Sequence, residues 1–328
     1  MAKSICICGT GSYVPERIVT NVELEETSPT NRNWIQEKLG IMSRRRVAEG
    51  EATSDMAVAA GRKAIETAGL KSEDIELIIL GTITPDRLIP SAATIIQRKL
   101  GAVNAVAFDL NAACAGFVYG LITGAQFLET GHFKNALIIG ADTMSMITDY
   151  EDRTCAYYGD AAGAVVIRLI ESENGIKSMY FASDGRSVDS VTVKGVGSEH
   201  PLSEEVLNNR WQYLYMGGKD VYNKAREIIP MSIRKALKMA NLTIDDISYV
   251  IPHQPNLTLL KECAVDVGLH LEKVAIVLDR FANSSSGNIP LAMDLLNQEG
   301  KLKDGDNILL VTIGAGWTWG SVVLKWKG

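Results

Sequence analysis

"RKAIETAGLKSEDIELIIL" at 62–80 and "RKALKMANLTIDDISYVIP" at 234–252 align without a gap, with Arg62-Lys63-Ala64 over Arg234-Lys235-Ala236, Leu70 over Leu242 and Asp74-Ile75 over Asp246-Ile247. Each copy reads as an amphipathic helix, a turn and a β-branched strand. The same offset of 172 residues sets "NALIIGAD" (135–142) over "NILLVTIG" (307–314), and an offset of 170 sets "FDLNAACAG" (108–116) over "LDRFANSSS" (278–286). "GAVVIRLI" (163–170) then resembles "GSVVLKWK" (320–327). Blocks matched in one order along the chain mean that a single α/β unit occurs twice. The copies span 1–170 and 220–328, joined by a more polar, glycine-containing insert at 171–219.

Strands are expected at 4–9, 75–82, 105–109, 136–141, 163–170, 247–252, 274–278, 307–313 and 320–326. Many are continuous apolar runs, which is how strands covered on both faces read. If the two sheets pack their inner helices together, the architecture is a layered α/β/α/β/α sandwich. The longest apolar segment, 112–128, holds three glycines and ends at Glu129, so it suits an inner helix better than a membrane span.

At 328 residues, 46% hydrophobic and 22% charged, the chain has the composition of a globular protein with a sizeable core. Its net charge of -6 is spread without a basic stripe, which argues against nucleic acid and against an anionic membrane surface as partners. The five cysteines are scattered, with no CxxC and no Cys/His cluster at zinc spacing. They read as reduced thiols in a cytoplasmic protein with no metal site. "MAKSICICGTGSYVP" reads as a first strand and turn, not as a secretory signal.

Cys114 stands at the corner between the strand 105–109 and the inner helix. Two readings compete: free cysteine is often buried filler, but a thiol where a strand turns into a helix faces unpaired N–H groups and a dipole that stabilise its anion. The equivalent corner of the second copy carries Asn283 and serines, so polar or reactive side chains face one another. His253, in "PHQPN" (252–256), ends a strand between Pro252 and Pro255, a rigid turn. A loop histidine without chemistry is the alternative there, and the reading kept for His132, His200 and His270. "TIGAGWTWGSVV" (312–323) carries Gly314 and Gly316 but runs into a strand, not a helix, so a dinucleotide site fails its context. Such a corner beside a nucleophile can instead present an N–H to an oxyanion. The motifs GxSxG, HExxH and GxxxxGK are absent.

Taken in order, "GTGSYVPERIVTN", "WIQEKLGI", "PSAATIIQRKLG", "FDLNAACAGFVYGL", "GDAAGAVV", "PHQPN", "NSSSGNIP" and "GAGWTWGS" resemble the β-ketoacyl-acyl-carrier-protein synthase III branch of the thiolase superfamily. The resemblance spans essentially the whole chain and implies the thiolase fold, which is a duplicated five-layer α/β/α/β/α arrangement. It implies that Cys114 takes an acyl group from coenzyme A, and that His253 and Asn283 polarise a malonyl thioester while carbon dioxide leaves. The N–H groups of Cys114 and Gly316 would form the oxyanion hole, with Asn256 behind the histidine. Trp34 would stack on the adenine of coenzyme A with Arg153 on its other side. No cofactor or metal is implied beyond the coenzyme A thioester substrate, and the chain would act as a cytoplasmic homodimer.

Several positions depart from that family's pattern. Pro255 and Thr258 replace an alanine and an arginine of the histidine motif, Val265 and Asp266 stand where paired lysines are common, and Asn223 replaces another lysine. Lys224, Arg226 and Lys261 are the nearby basic residues for docking a carrier protein. "DRTCAYYGD" is one residue short and introduces Cys155, Tyr157 and Tyr158 near the expected acyl pocket, and Ile89 falls where a bulky residue reaches into the partner's pocket. The expected function is a condensing acyltransferase of fatty acid or related secondary-metabolite biosynthesis. It would join an acyl-CoA primer to malonyl-ACP or malonyl-CoA in a decarboxylative Claisen condensation. The alternatives are transfer of the acyl group from cysteine to an alcohol or amine, and a non-catalytic subunit that binds acyl-CoA.

Overall fold

The computed structural model describes residues 3–328, in which nine strands build two main sheets. Numbered along the chain, the first sheet has five strands in the order β1 (Lys3–Tyr13), β5 (Ala161–Glu171), β4 (Asn135–Asp142), β2 (Leu77–Gly81), β3 (Val106–Leu110). The second has four, in the order β6 (Gly175–Ser183), β9 (Thr318–Lys325), β8 (Asn307–Gly314), β7 (Tyr249–Pro252). β4, β2 and β3 run parallel and β5 antiparallel to both its neighbours; β8 and β7 are parallel and β9 antiparallel. The repeated blocks thus fall on equivalent strands, β2 with β7, β4 with β8 and β5 with β9.

The layers follow from which faces are apolar. Helices α1 (Thr53–Thr67) and α2 (Ala92–Leu100) pack on the outer face of the first sheet, α4 (Gly218–Ala240) and α5 (Leu257–Asp266) on that of the second. Between the sheets lie α3 (Gly116–Glu129) and α6 (Asn288–Gln298), whose Phe117, Leu121, Ile289 and Leu291 share one core with Ile79, Ile138, Ile251, Leu310 and Val322 of the two sheets. This is the expected five-layer order. A helix buried on every side needs close approach. A Cβ on Gly81 would meet the carbonyl carbon of Gly116 at 2.4 Å, so the start of α3 rests backbone to backbone on the end of β2.

The structure departs from the expected strands in two places. At 274–278 there is only a single parallel bridge, Val250 with Val274, followed by the short helix Leu278–Phe281. The buried Gln254 side chain explains it: its Nε2 donates to the Ala275 carbonyl (2.8 Å), and its Oε1 accepts from the N–H groups of Val277 (3.1 Å) and Leu278 (3.3 Å). The side chain takes the partners a strand would have used. Within the segment read as a polar insert, β6 is the edge strand of the second sheet, pairing with β9 from Thr318 with Ser183 to Lys325 with Gly175. Its inner face supplies the partly buried Ile176 and Met179, while Lys177 and Phe181 stay outside. A little further on, Val191–Val193 and Leu214–Met216 form a two-stranded ribbon. Among the described residues no helix is long and apolar enough to cross a membrane.

Candidate active site

Cys114 sits on a corner held from both halves of the molecule. Asn111 Oδ1 accepts from the Ala113 N–H (3.1 Å), Ala113 is left-handed at φ 49°, and the N–H groups of Ala115 and Gly116 close turns onto the carbonyls of Ala112 and Ala113. From the second half, Thr318 Oγ1 donates to the Ala112 carbonyl (2.7 Å) and Thr312 Oγ1 to that of Cys114 (3.1 Å). A Cβ on Gly314 would meet the Cys114 nitrogen at 2.9 Å, so only glycine lets the β8 end lie against the corner.

The opposite corner is held as tightly. The Asn283 N–H donates to the Tyr157 carbonyl (2.9 Å), and the Ser285 N–H donates to Asn283 Oδ1 (2.8 Å). With the carboxamide oxygen engaged, Asn283 presents its NH₂ as the free polar group. The buried Asp142 carboxylate joins the halves, accepting from the hydroxyls of Thr82 (2.9 Å), Thr84 (3.0 Å) and Ser286 (2.7 Å) and from the N–H of Ile83 (2.8 Å). Among the described residues, four of the seven non-glycine residues with positive φ, Ala113, Ala282, Ser285 and Trp317, lie on these corners. Each such residue costs about 1–3 kcal/mol, which the surrounding packing must offset.

Cys114, His253 and Asn283 line one cavity of about 120 Å³ together with Asn256, Gly314, Ala315 and Trp317. Asn256 caps α5, its Oδ1 accepting from the Leu259 N–H at 2.8 Å. His253 ends β7 with its N–H on the Val311 carbonyl (2.8 Å). Its Nδ1 is enclosed and makes no hydrogen bond of good geometry among the described residues. Burial pushes the imidazole down to about 4, against the raising effects of the Ser285 backbone and the Asn288 side chain, so the ring is neutral at pH 7.

Two expectations for this centre change. Helix α3 begins at Gly116, two residues beyond Cys114. Burial pushes the thiol up to about 11, the Asp142 carboxylate adds to that, and the Ser285 hydroxyl and the cysteine's own N–H oppose it. At rest Cys114 is a thiol, not a helix-stabilised thiolate. Gly316, at φ 70°, stands in the β8–β9 turn beyond the cavity lining, and the corner residues that reach the cavity are Gly314 and Ala315.

The cavity opens into a groove of about 1100 Å³, and Tyr157, Leu214, Met216 and Gly218 line both. Trp34 and Arg153 line the groove, with the guanidinium 4.0 Å from the Trp34 ring centre and Tyr157 edge-on to that ring at 6.2 Å. No ring fits between Trp34 and Arg153 until the guanidinium swings aside. Tyr158 lines the cavity, whereas Ile89 is 85% exposed on the outer surface. Near it, Leu88 and Met146 line a surface hollow that shares Ile83 with the Cys114 cavity. The bases expected to dock a carrier protein are largely paired: Lys224 with Glu227 (3.1 Å) and Arg226 with Glu262 (3.0 Å), while Arg234 meets Asp266 (3.1 Å). Leu214 and Met216 escaped sequence reasoning because they come from the segment read as an insert; the alternation in "YLYM" was their one signal.

Residues 108–185 match the family description 3-oxoacyl-[acyl-carrier-protein (ACP)] synthase III, and residues 237–326 match its C-terminal part. The chain is 46% identical over 322 residues to a β-ketoacyl-[acyl-carrier-protein] synthase III of Clostridioides difficile (strain 630), covering 98% of each. The crystal structure of 3-oxoacyl-[acyl-carrier-protein] synthase III from Aquifex aeolicus VF5 matches with a TM-score of 0.91 at 34% identity, covering 98% of this chain and 100% of that one. The priming β-ketosynthase of the R1128 polyketide biosynthetic pathway matches at 0.92 with 30% identity, covering 99% and 97%.

Proposed function

The chain belongs to the β-ketoacyl-[acyl-carrier-protein] synthase III family, condensing enzymes of the transferase class, and from that premise we propose how its own residues carry the reaction. An acyl-CoA lies in the groove with its adenine on Trp34, and its thioester reaches Cys114. The thiol attacks as its proton passes to the neutral His253, the new C–S bond forms, and coenzyme A leaves with that proton. The N–H groups of Cys114 and Ala315 meet the developing oxyanion. The acyl-enzyme is thus an acyltransferase intermediate.

A malonyl thioester then enters. As carbon dioxide leaves, negative charge gathers on the thioester oxygen, where an imidazole N–H of His253 and the Asn283 NH₂ stabilise it. The enolate carbon attacks the acyl group, the acyl–sulfur bond to Cys114 breaks, and the departing thiolate takes up a proton from water, which leaves a β-ketoacyl product and the free thiol. Cys114 comes from the 1–170 half, His253 and Asn283 from 220–328, and Asn256 holds the loop behind the histidine. The carrying observation is that these three side chains line one cavity with Asn283 fixed as a donor.

A second copy covers the hollow around Leu88, which puts Ile89 against the partner's pocket. Five unpaired thiols suit a reducing compartment such as the cytoplasm. Malonyl-ACP or malonyl-CoA supplies the extender. The paired charges around α4 and α5 favour a second reading, in which acyl-Cys114 passes to an alcohol or amine. Carbon dioxide separates the two. With acyl-CoA and malonyl-ACP or malonyl-CoA, condensation releases one carbon dioxide per β-ketoacyl product, and His253→Ala forms acyl-enzyme but condenses at least about 100-fold more slowly. Consumption of acyl-enzyme by an alcohol or amine without carbon dioxide would establish the alternative.

A further inference from the structure

The wall of the cavity around Tyr158 is largely apolar, made by Ile83, Met144, Val191, Leu214 and Met216; Tyr157 and Tyr222 also line the cavity, and Tyr158 is the tyrosine buried in one cluster with Met144 and Leu214. Tyr158 is held by its backbone, which bridges to Asn283, and its ring packs against Met144 and Leu214. Among the described residues the hydroxyl has a single partner, the Met216 Sδ at 3.6 Å. A thioether is a weak acceptor. A buried hydroxyl so poorly paired is destabilising, and a phenyl ring would fill the same space without that cost.

The cavity is also small. An apolar cavity of about 150 Å³ is filled by a six-carbon ring, so 120 Å³ holds an acyl group of about four carbons with one oxygen on it. Long hydrocarbon chains do not fit without moving Tyr158 or the Leu214–Met216 ribbon.

We propose that Tyr158 selects the primer: its ring limits the acyl group to about four carbons, and its hydroxyl donates a hydrogen bond to a hydroxyl or keto oxygen on the acyl group's third carbon. The substrate class is a short 3-hydroxyacyl- or 3-oxoacyl-CoA, preferred over a hydrocarbon primer of equal length. Burial, with the neighbouring Cys114 adding to it, holds the phenol far above its usual range, so it remains a donor at any working pH. In the transfer the primer's C–S bond to coenzyme A breaks, its bond to Cys114 forms and the thiol proton goes to coenzyme A, while Tyr158 gives only its hydrogen bond. The inference rests on the reading of Cys114 as the acylated residue.

The test is competition between butyryl-CoA and 3-hydroxybutyryl-CoA (each enantiomer) or acetoacetyl-CoA, with octanoyl-CoA as the length probe, reading initial acylation of Cys114 by intact-protein mass. Wild type should take at least one oxygenated primer about tenfold faster than butyryl-CoA and acylate with octanoyl-CoA at least about tenfold more slowly than butyryl-CoA. Tyr158→Phe, which keeps the ring, should abolish the oxygen preference, bringing the ratio of oxygenated to butyryl acylation rates to about one. A purely structural tyrosine would leave the ratio unmoved. Equal rates for butyryl and the oxygenated primers in wild type, a preference that survives Tyr158→Phe, or ready octanoylation would overturn the proposal while leaving Cys114 as the nucleophile. Failure of every acyl-CoA to label Cys114 would overturn that assignment as well.

Discussion

Cys114 and His253 are both held neutral, the thiol pushed up to about 11 and the imidazole down to about 4, in each case chiefly by burial. For His253 the sign has a consequence for folding. The unfolded chain, with an ordinary imidazole near 6.5, takes up the proton before the folded chain does, so stability is intact above that pH and declines as pH falls toward 4. The full loss is about 3 kcal/mol at about 1.4 kcal/mol per pKa unit. Urea midpoints from pH 7 to 4 should therefore fall more steeply for wild type than for His253→Gln, and parallel curves would contradict the assignment. Trp34→Ala should raise KM for acyl-CoA about tenfold with little change in kcat, since adenine stacking is equal in ground and transition states; an unchanged KM would remove Trp34 from the site. That Cys114, His253 and Asn283 would meet in one cavity was legible because each is a reactive or polar side chain at the end of a recognisable strand. The pKa of Cys114 was not, because the helix address was local while the burial that outweighs it comes from side chains across the whole chain. That Ala315 lines the cavity and Gly316 does not was not legible, because it depends on the turn's dihedral angles and not on glycine content.

At the level of elements, the joint between the halves is where sequence and chemistry meet. The β8 end touches the Cys114 corner so closely that Gly314→Ala would place a Cβ within 2.9 Å of the Ala112 oxygen and Cys114 nitrogen and 2.8 Å from the Thr318 hydroxyl. Overpacking of this kind costs about 1–3 kcal/mol, and a nucleophile displaced by about 1 Å loses about 100-fold in rate. The variant should fold with a lowered thermal midpoint and acylate about 100-fold more slowly, as stopped-flow acylation will show; a wild-type rate would mean that the corner yields without consequence. The repeat located β2, β7, β4, β8, β5 and β9, since their buried, β-branched runs are a local signal. It misplaced a strand at 274–278, where Gln254, a single side chain distant in sequence, claims the backbone partners. It also passed over β6, an edge strand whose alternating, half-exposed residues read as polar linker.

Over the whole molecule, two copies of one unit meet along α3 and α6, so each contributes half of a cavity that neither could form alone. An apolar surface remains outside that cavity, with Leu88 and Ile89 at 88% and 85% exposure beside the hollow that shares Ile83 with the Cys114 pocket. Burial of such side chains stabilises by about 1.5–3 kcal/mol each, so if a second copy covers that hollow as proposed, Leu88→Asp should lower the sedimentation coefficient from that of a dimer to that of a monomer. An unchanged sedimentation coefficient would assign that surface another role. Whether Cys114 carries the acyl group between two half-reactions is decided by a mass-spectrometric pulse and chase. The protein is loaded with a panel of acyl-CoAs, freed of excess reagent and given malonyl-ACP or malonyl-CoA. The account predicts one acyl mass, mapped to Cys114, absent in Cys114→Ser, and discharged with release of carbon dioxide. Labelling at another residue, or an acyl-Cys114 that persists through the malonyl chase, would contradict it.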